Sequence, residues 1–179
     1  MSDFCGHFEI TQAFLEIDEK FSSMESFQPK SARDIQIQNL FSQYMIIKIA
    51  RTVEGSIKNI IYTKCQIIGK QCVKIKVKNE NASEFQEYTI EKRLRNLNNP
   101  SKEKIFQCFD EILEIKLDAQ QFDNMHFTSL GQILGDRHKF AHSDPLLSND
   151  QVSKSLSDVK KHYENVKDFV AKLCTIVAT

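Results

Sequence analysis

Apolar residues recur every three or four positions along most of this chain, the spacing that gives a helix one buried face. Over residues 7–22 the recurring positions are Phe8, Ala13, Phe14, Ile17 and Phe21. A longer stripe through Ile35, Leu40, Met45, Ile49, Val53, Ile57, Ile60 and Ile61 predicts a second helix over 32–68. Phe27, Pro29 and Ser31 mark the break between the two, with Ser31 placed to cap the second helix and Gly69 to stop it. In residues 70–81 the run Val73-Lys74-Ile75-Lys76-Val77 alternates with period two, which fits a short strand and equally an exposed helix end or a loop. Beyond a polar loop at Asn79–Ser83, Ser83 is placed to cap a helix over 84–97, which Asn98-Asn99-Pro100 ends. Pro100 then opens a helix over 100–117. A further helix is expected over 119–142, followed by a turn at Pro145. The last begins near Ser148 or Asn149, with Val152, Leu156, Val159, Tyr163, Val166, Val170, Leu173 and Val177 on one face. That face suits packing inside a helical bundle; the alternative is that part of it forms a dimer contact.

Five glycines and three prolines are too few for a turn-rich β fold, so the expected class is all-α. A length of 179 residues fits one domain over 1–179, and a chain of that size buries about 70% of its unfolded surface. No internal repeat or low-complexity segment interrupts it. The 24 basic and 24 acidic residues cancel, so any contact with nucleic acid must come from a local patch rather than from overall charge. The clusters Lys70–Lys78 and Lys92–Arg95 suit a phosphate backbone or, more simply, a solvated helix face. Cys5, Cys65, Cys72, Cys108 and Cys174 are odd in number and include no Cys-x-x-Cys pair, which argues against a disulfide framework or a zinc ribbon. Most suit buried apolar thiols in a reducing cytoplasm. No basic, apolar leader and no uncharged apolar run of membrane-spanning length is visible, so the chain is expected to be soluble and cytoplasmic. No glycine-rich phosphate loop and no nucleophile elbow is present.

The candidate chemistry lies in Arg137-His138-Lys139-Phe140-Ala141-His142. Arginine offers a planar, permanently charged fork that matches phosphate oxygens, and histidine gives or takes a proton near neutrality. The plain alternative is a solvated arginine and two surface histidines at a helix end. His138 and His142 are four residues apart and lie about 40° from each other around a helix, whereas Arg137 lies about 140° from His142. His-x-x-x-His also admits a zinc reading, but Lys139 stands where a metalloprotease needs glutamate, and no third ligand follows at a matching interval. No metal or cofactor is therefore expected. His7, His126 and His162 have no acidic or nucleophilic neighbour at a telling spacing.

The stretch Leu134-Gly135-Asp136-Arg137-His138-Lys139-Phe140-Ala141-His142-Ser143 resembles the signature of HEPN domains: arginine, a polar residue, a few more residues, then histidine. It is most similar to the bacterial group associated with ribosomal L-PSP-type proteins, with His138 where Asn is commoner, Phe140 where Ile is, and Ser143 where Gly is. Ile46–Ile57 resembles that group's long second helix with its glutamate, here Glu54, and Asn99–Ile105 resembles the start of its middle helix. The likeness spans roughly residues 8–177. It implies a HEPN-like bundle with long second and C-terminal helices, working as a metal-independent endoribonuclease on single-stranded RNA. It implies a catalytic set of Arg137, His142 and His138, with Lys139 and Glu54 as substrate-binding groups. It further implies a homodimer, and a toxin or antiphage role restrained by a cognate antitoxin or inhibitor protein. The rival readings are a non-catalytic HEPN-like module that binds nucleotide, RNA or protein, and a structural or antitoxin-like dimerisation protein.

Overall fold

The computed structural model describes residues 4–79, 82–142 and 154–178, with side chains at 76–79, 82–85, 141 and 142 left outside the description. Six α-helices and one β-hairpin make up the described chain: α1 Phe8–Met24, α2 Ala32–Ile67, β1 Cys72–Asn79, β2 Ala82–Thr89, α3 Ile90–Arg95, α4 Lys102–Cys108, α5 Asn124–His142 and α6 Leu156–Ala178. The all-α class and the long second and last helices are as the sequence predicts. No described helix is long and apolar enough to cross a membrane.

The central element is α2, whose 36 residues reach about 54 Å at 1.5 Å per residue. Ser31 caps it by accepting from the Asp34 amide at 3.2 Å, and Gly69, at φ 68°, turns the chain away beyond its end. Met45, Ile49, Val53, Ile57, Ile60 and Ile61 are fully buried, whereas Ile35 and Leu40, predicted on the same stripe, are exposed. Around this stripe pack α1, α5 and α6. The buried face of α6 comprises Val159, Tyr163, Val166, Val170, Leu173 and Val177, so the stripe predicted for the last helix is core. Cys65, Cys108 and Cys174 are buried thiols within the same core, while Cys5 and Cys72 are exposed.

A polar lock joins α1 to α6. The Tyr163 hydroxyl donates to the Asp18 carboxylate at 2.5 Å and lies 3.1 Å from the Phe14 carbonyl, while the Lys167 ammonium takes the other Asp18 oxygen at 2.7 Å. Burial, and then the hydrogen bond to Asp18 and its charge, push the Tyr163 phenol well above its usual pKa, so it remains a donor. Tyr163→Phe is expected to destabilise the fold by about 1–3 kcal/mol, because the half-buried Asp18 carboxylate loses one of its donors. The urea midpoint of the variant should fall without a change in slope.

Four local expectations are corrected. The helix expected over 84–97 is instead strand β2 over 82–89, followed by the short α3, which Thr89 caps by accepting from the Lys92 amide at 3.3 Å. The ambiguous run 73–77 is strand β1, antiparallel to β2 with Val73 opposite Tyr88 and Lys74 opposite Glu87. An opposite-charge pair across the ladder, beside a Val–Tyr pair, favours the hairpin. The helix expected over 100–117 is shorter: Ser101 caps α4, a π-helical turn covers Phe109–Leu113, and Glu114 at φ 60° ends it. The helix expected from 119 divides into a 3-10 turn Ala119–Gln121 and α5, because Asp118 and Asp123 each cap their own start. The last helix starts at Leu156, not near 148, since the Ser155 hydroxyl accepts from the Asp158 amide at 3.1 Å and Lys154 and Ser155 are not helical. Ser148 and Asn149 themselves, with Pro145 and Val152, lie outside the described residues.

Candidate functional site

Helix α5 carries the Arg-His motif at its C-terminal end, and the bundle orients it from both sides. Leu130, Ile133 and Leu134 are buried, which turns that face of α5 inward. Ser129, fully buried, lies 3.1 Å from the His162 ring and accepts from the Asn165 amide at 2.9 Å, so α5 is tied to α6. Burial lowers the pKa of the His162 ring; the Lys154 charge acts in the same sense, and Asp136 and Asp158 oppose it. Near the start of α5, the buried His126 ring contacts Asp168 at 2.9 Å. His7 and His126 and His162 thus have structural partners, His7 meeting Asn59 at 3.2 Å.

Arg137 is half-buried and held from two other elements. One guanidinium nitrogen meets the Glu54 carboxylate of α2 at 3.2 Å, and the other donates to the Asn99 side-chain oxygen. Asn99 occupies the left-handed region at φ 48°, a conformation asparagine tolerates, just after α3. Glu54 also takes the Lys58 ammonium at 2.8 Å, one turn along α2. Burial works to raise the Glu54 carboxyl, but the hydrogen bonds and charges of Lys58 and Arg137 outweigh it and hold it below the usual carboxylate range. Glu54 therefore stays ionised and keeps the guanidinium aimed.

Asp136, the residue before Arg137, is 1% exposed. Gln132 donates to both of its oxygens at 3.0 and 3.1 Å, and the Lys154 ammonium meets it at 2.5 Å. A buried ion pair of this kind anchors the last turn of α5 to the segment leading into α6, because separating it would strand a charge in the interior. The segment between them, 143–153, lies outside the described residues.

The structure therefore brings Arg137 and Glu54 together across 83 positions of sequence. His138 and Lys139 are exposed on the last turns of α5. His142 is the final residue of α5; its backbone is helical and its side chain lies outside the described part. Lys139 and the substrate role expected for Glu54 remain expectations, and what the geometry adds is that the Glu54 carboxylate holds two cations within the chain. Sequence reasoning missed Asn99, Asp136 and Lys154. The signal for Asn99 was its place in Asn98-Asn99-Pro100, since asparagine before proline often marks a turn. Lys154 carried no such signal. Among the described residues, no group of three or more His, Cys, Asp or Glu is placed to hold a metal ion.

An all-α bundle around a long second helix, with arginine, a polar residue and histidine closing a helix beside an α2 glutamate, defines a class of HEPN-type helical domains. The family model described as RiboL-PSP-HEPN matches residues 12–179, and the chain belongs to that family. No curated protein and no solved structure matches the chain.

Proposed function

We propose that the protein is a metal-independent endoribonuclease that cuts single-stranded RNA through the substrate's own 2′-hydroxyl. The observation that carries this reading is the held guanidinium: Glu54 and Asn99 fix Arg137 beside the helix end that bears His142. An arginine aimed before substrate arrives stabilises charge on phosphorus with little reorganisation. A base removes the 2′-hydroxyl proton, the 2′-oxygen attacks phosphorus, and the P–O5′ bond breaks as an acid protonates the leaving oxygen. The products are a 2′,3′-cyclic phosphate and a 5′-hydroxyl end. His142 transfers protons, Arg137 binds the scissile phosphate, and His138 orients His142 or holds substrate, with Lys139 contributing charge along the strand. Glu54 acts through Arg137. The direct test is cleavage of single-stranded RNA in excess EDTA, with DNA of the same sequence left intact because it lacks the nucleophile.

In-line displacement places the attacking and leaving oxygens on opposite sides of phosphorus, so acid and base are best supplied from two directions. A symmetric homodimer with its axis near the end of α5 supplies them from two copies of the motif. Mixing Arg137→Lys chains with His142→Ala chains should then restore activity above that of either variant alone, since each heterodimer carries one arginine and one histidine on opposite chains. A fully active species at the monomer mass of 20.7 kDa overturns the composite site. The cellular role that fits is a toxin or antiphage effector restrained by an inhibitor protein.

One observation favours a second reading. Both ends of the Arg137 guanidinium already have partners within the chain, which suits a module that binds RNA, nucleotide or protein without cutting. RNA binding with no cleavage by the parent protein would select it.

A further inference from the structure

We infer that the cleft beside Arg137 is a nucleobase subsite, taking the base of the nucleotide next to the phosphate at that arginine. The inference rests on the RNA reading above, and its test separates the two. The cleft, of about 420 Å³, lies between the segment 99–103 and α5, with Asn99, Lys102, Phe127, Leu130, Gly131 and Leu134 on its walls. Three observations join it to the motif.

First, Asn99 belongs to both places: it lines the cleft and its side-chain oxygen accepts from Arg137. Among the described residues nothing accepts from its amide end, whose donors can serve a ring acceptor. Second, Phe127, Gly131, Leu134 and His138 follow one another at intervals of four, three and four. At about 100° per residue these positions form a stripe about 60° wide on one face of α5, and position 142 continues it. The wall of the cleft therefore runs straight into the motif. Third, the cleft has the chemistry of a base site. Leu130 and Leu134 are buried, and Phe127 is half-buried, packed edge-on against Phe106 and Phe122. The Lys102 ammonium lies 4.7 Å from the Phe127 ring centre. Flat apolar faces with polar edges suit such a surface. The Lys102 ammonium and the exposed Glu103 carboxylate leave the lining without net charge, which suits the neutral part of the nucleotide better than a phosphate.

Gly131 provides the test. A Cβ there would meet nothing within 4 Å, and its position in α5 is ordinary helix, so a larger residue fills the cleft without displacing a neighbour. Replacing a helical glycine also favours the helix. Binding is measured with 2′-O-methyl tetranucleotides, which cannot be cut, against fully abasic 2′-O-methyl ribose-phosphate tetramers of equal charge. The parent should bind the base-bearing chains at least about tenfold tighter, the scale of one stacked base. Gly131→Met should reduce that ratio to less than about threefold, while Gly131→Ala, with one methyl group, should retain most of it. Thermal melting of both variants at or above the parent temperature shows that the fold is kept. Equal binding of base-bearing and abasic chains by the parent overturns the subsite even if the protein cuts RNA, as does an undiminished ratio in Gly131→Met or no binding of any chain. A base-dependent ratio that Gly131→Met abolishes, in a protein that never cuts RNA, supports the subsite and sinks the nuclease reading alone.

Discussion

His142→Ala should cut single-stranded RNA about 10²–10⁴ times more slowly than the parent, the usual scale for one group that gives or takes a proton in the transition state. The assay contains excess EDTA, because the 2′-hydroxyl is the nucleophile and no metal-bound water takes part in the proposed step. Position 142 is the last of α5, and alanine is the best helix former, so the substitution costs the helix little. Melting of the variant should match the parent. Equal rates for the two proteins would remove His142 from the chemistry, and loss of cutting in EDTA by the parent would remove the metal-independent mechanism.

Arg137→Lys should lower the rate by about 10²–10³, as when one preorganised donor at developing charge is lost. Lysine keeps the charge but not the fork: it can meet Glu54 or Asn99, and the guanidinium meets both. The fold should survive, because the Arg137–Glu54 pair is only partly buried and Lys58 remains on Glu54. The companion substitution His138→Asn should be tolerated, since His138 is exposed and asparagine serves the same polar function. A dead His138→Asn together with a fully active Arg137→Lys would show the roles of the two residues to be reversed.

The helical class, the span of α2 and the core face of α6 were legible because long amphipathic stripes report burial, although Ile35 and Leu40 at the start of the α2 stripe are exposed. Val159, Tyr163, Val166 and Val170 recur at helical spacing and are all buried. Ser31 and Gly69 were equally legible, since capping and left-handed turns are satisfied within a few residues. The middle of the chain was not. Residues 84–89 carry no decisive local preference, and they became a strand because β1 lies antiparallel beside them and sets a residue opposite each one. The start of α6 was misplaced for a related reason: several polar residues could cap a helix there, and the Ser155 hydroxyl accepts from the Asp158 amide at the observed start.

By itself, the sequence determined which residues the candidate chemistry has to work with: one arginine and two histidines within six residues at the end of one helix. The tertiary structure alone decided how the arginine is held. Glu54 lies 83 positions before Arg137, Asn99 lies 38 before it, and Lys154 reaches Asp136 from beyond the end of α5. None of these pairings has a period or a spacing. Each exists because α2, α5 and α6 must bury their apolar faces against one another, and that packing sets their polar residues side by side.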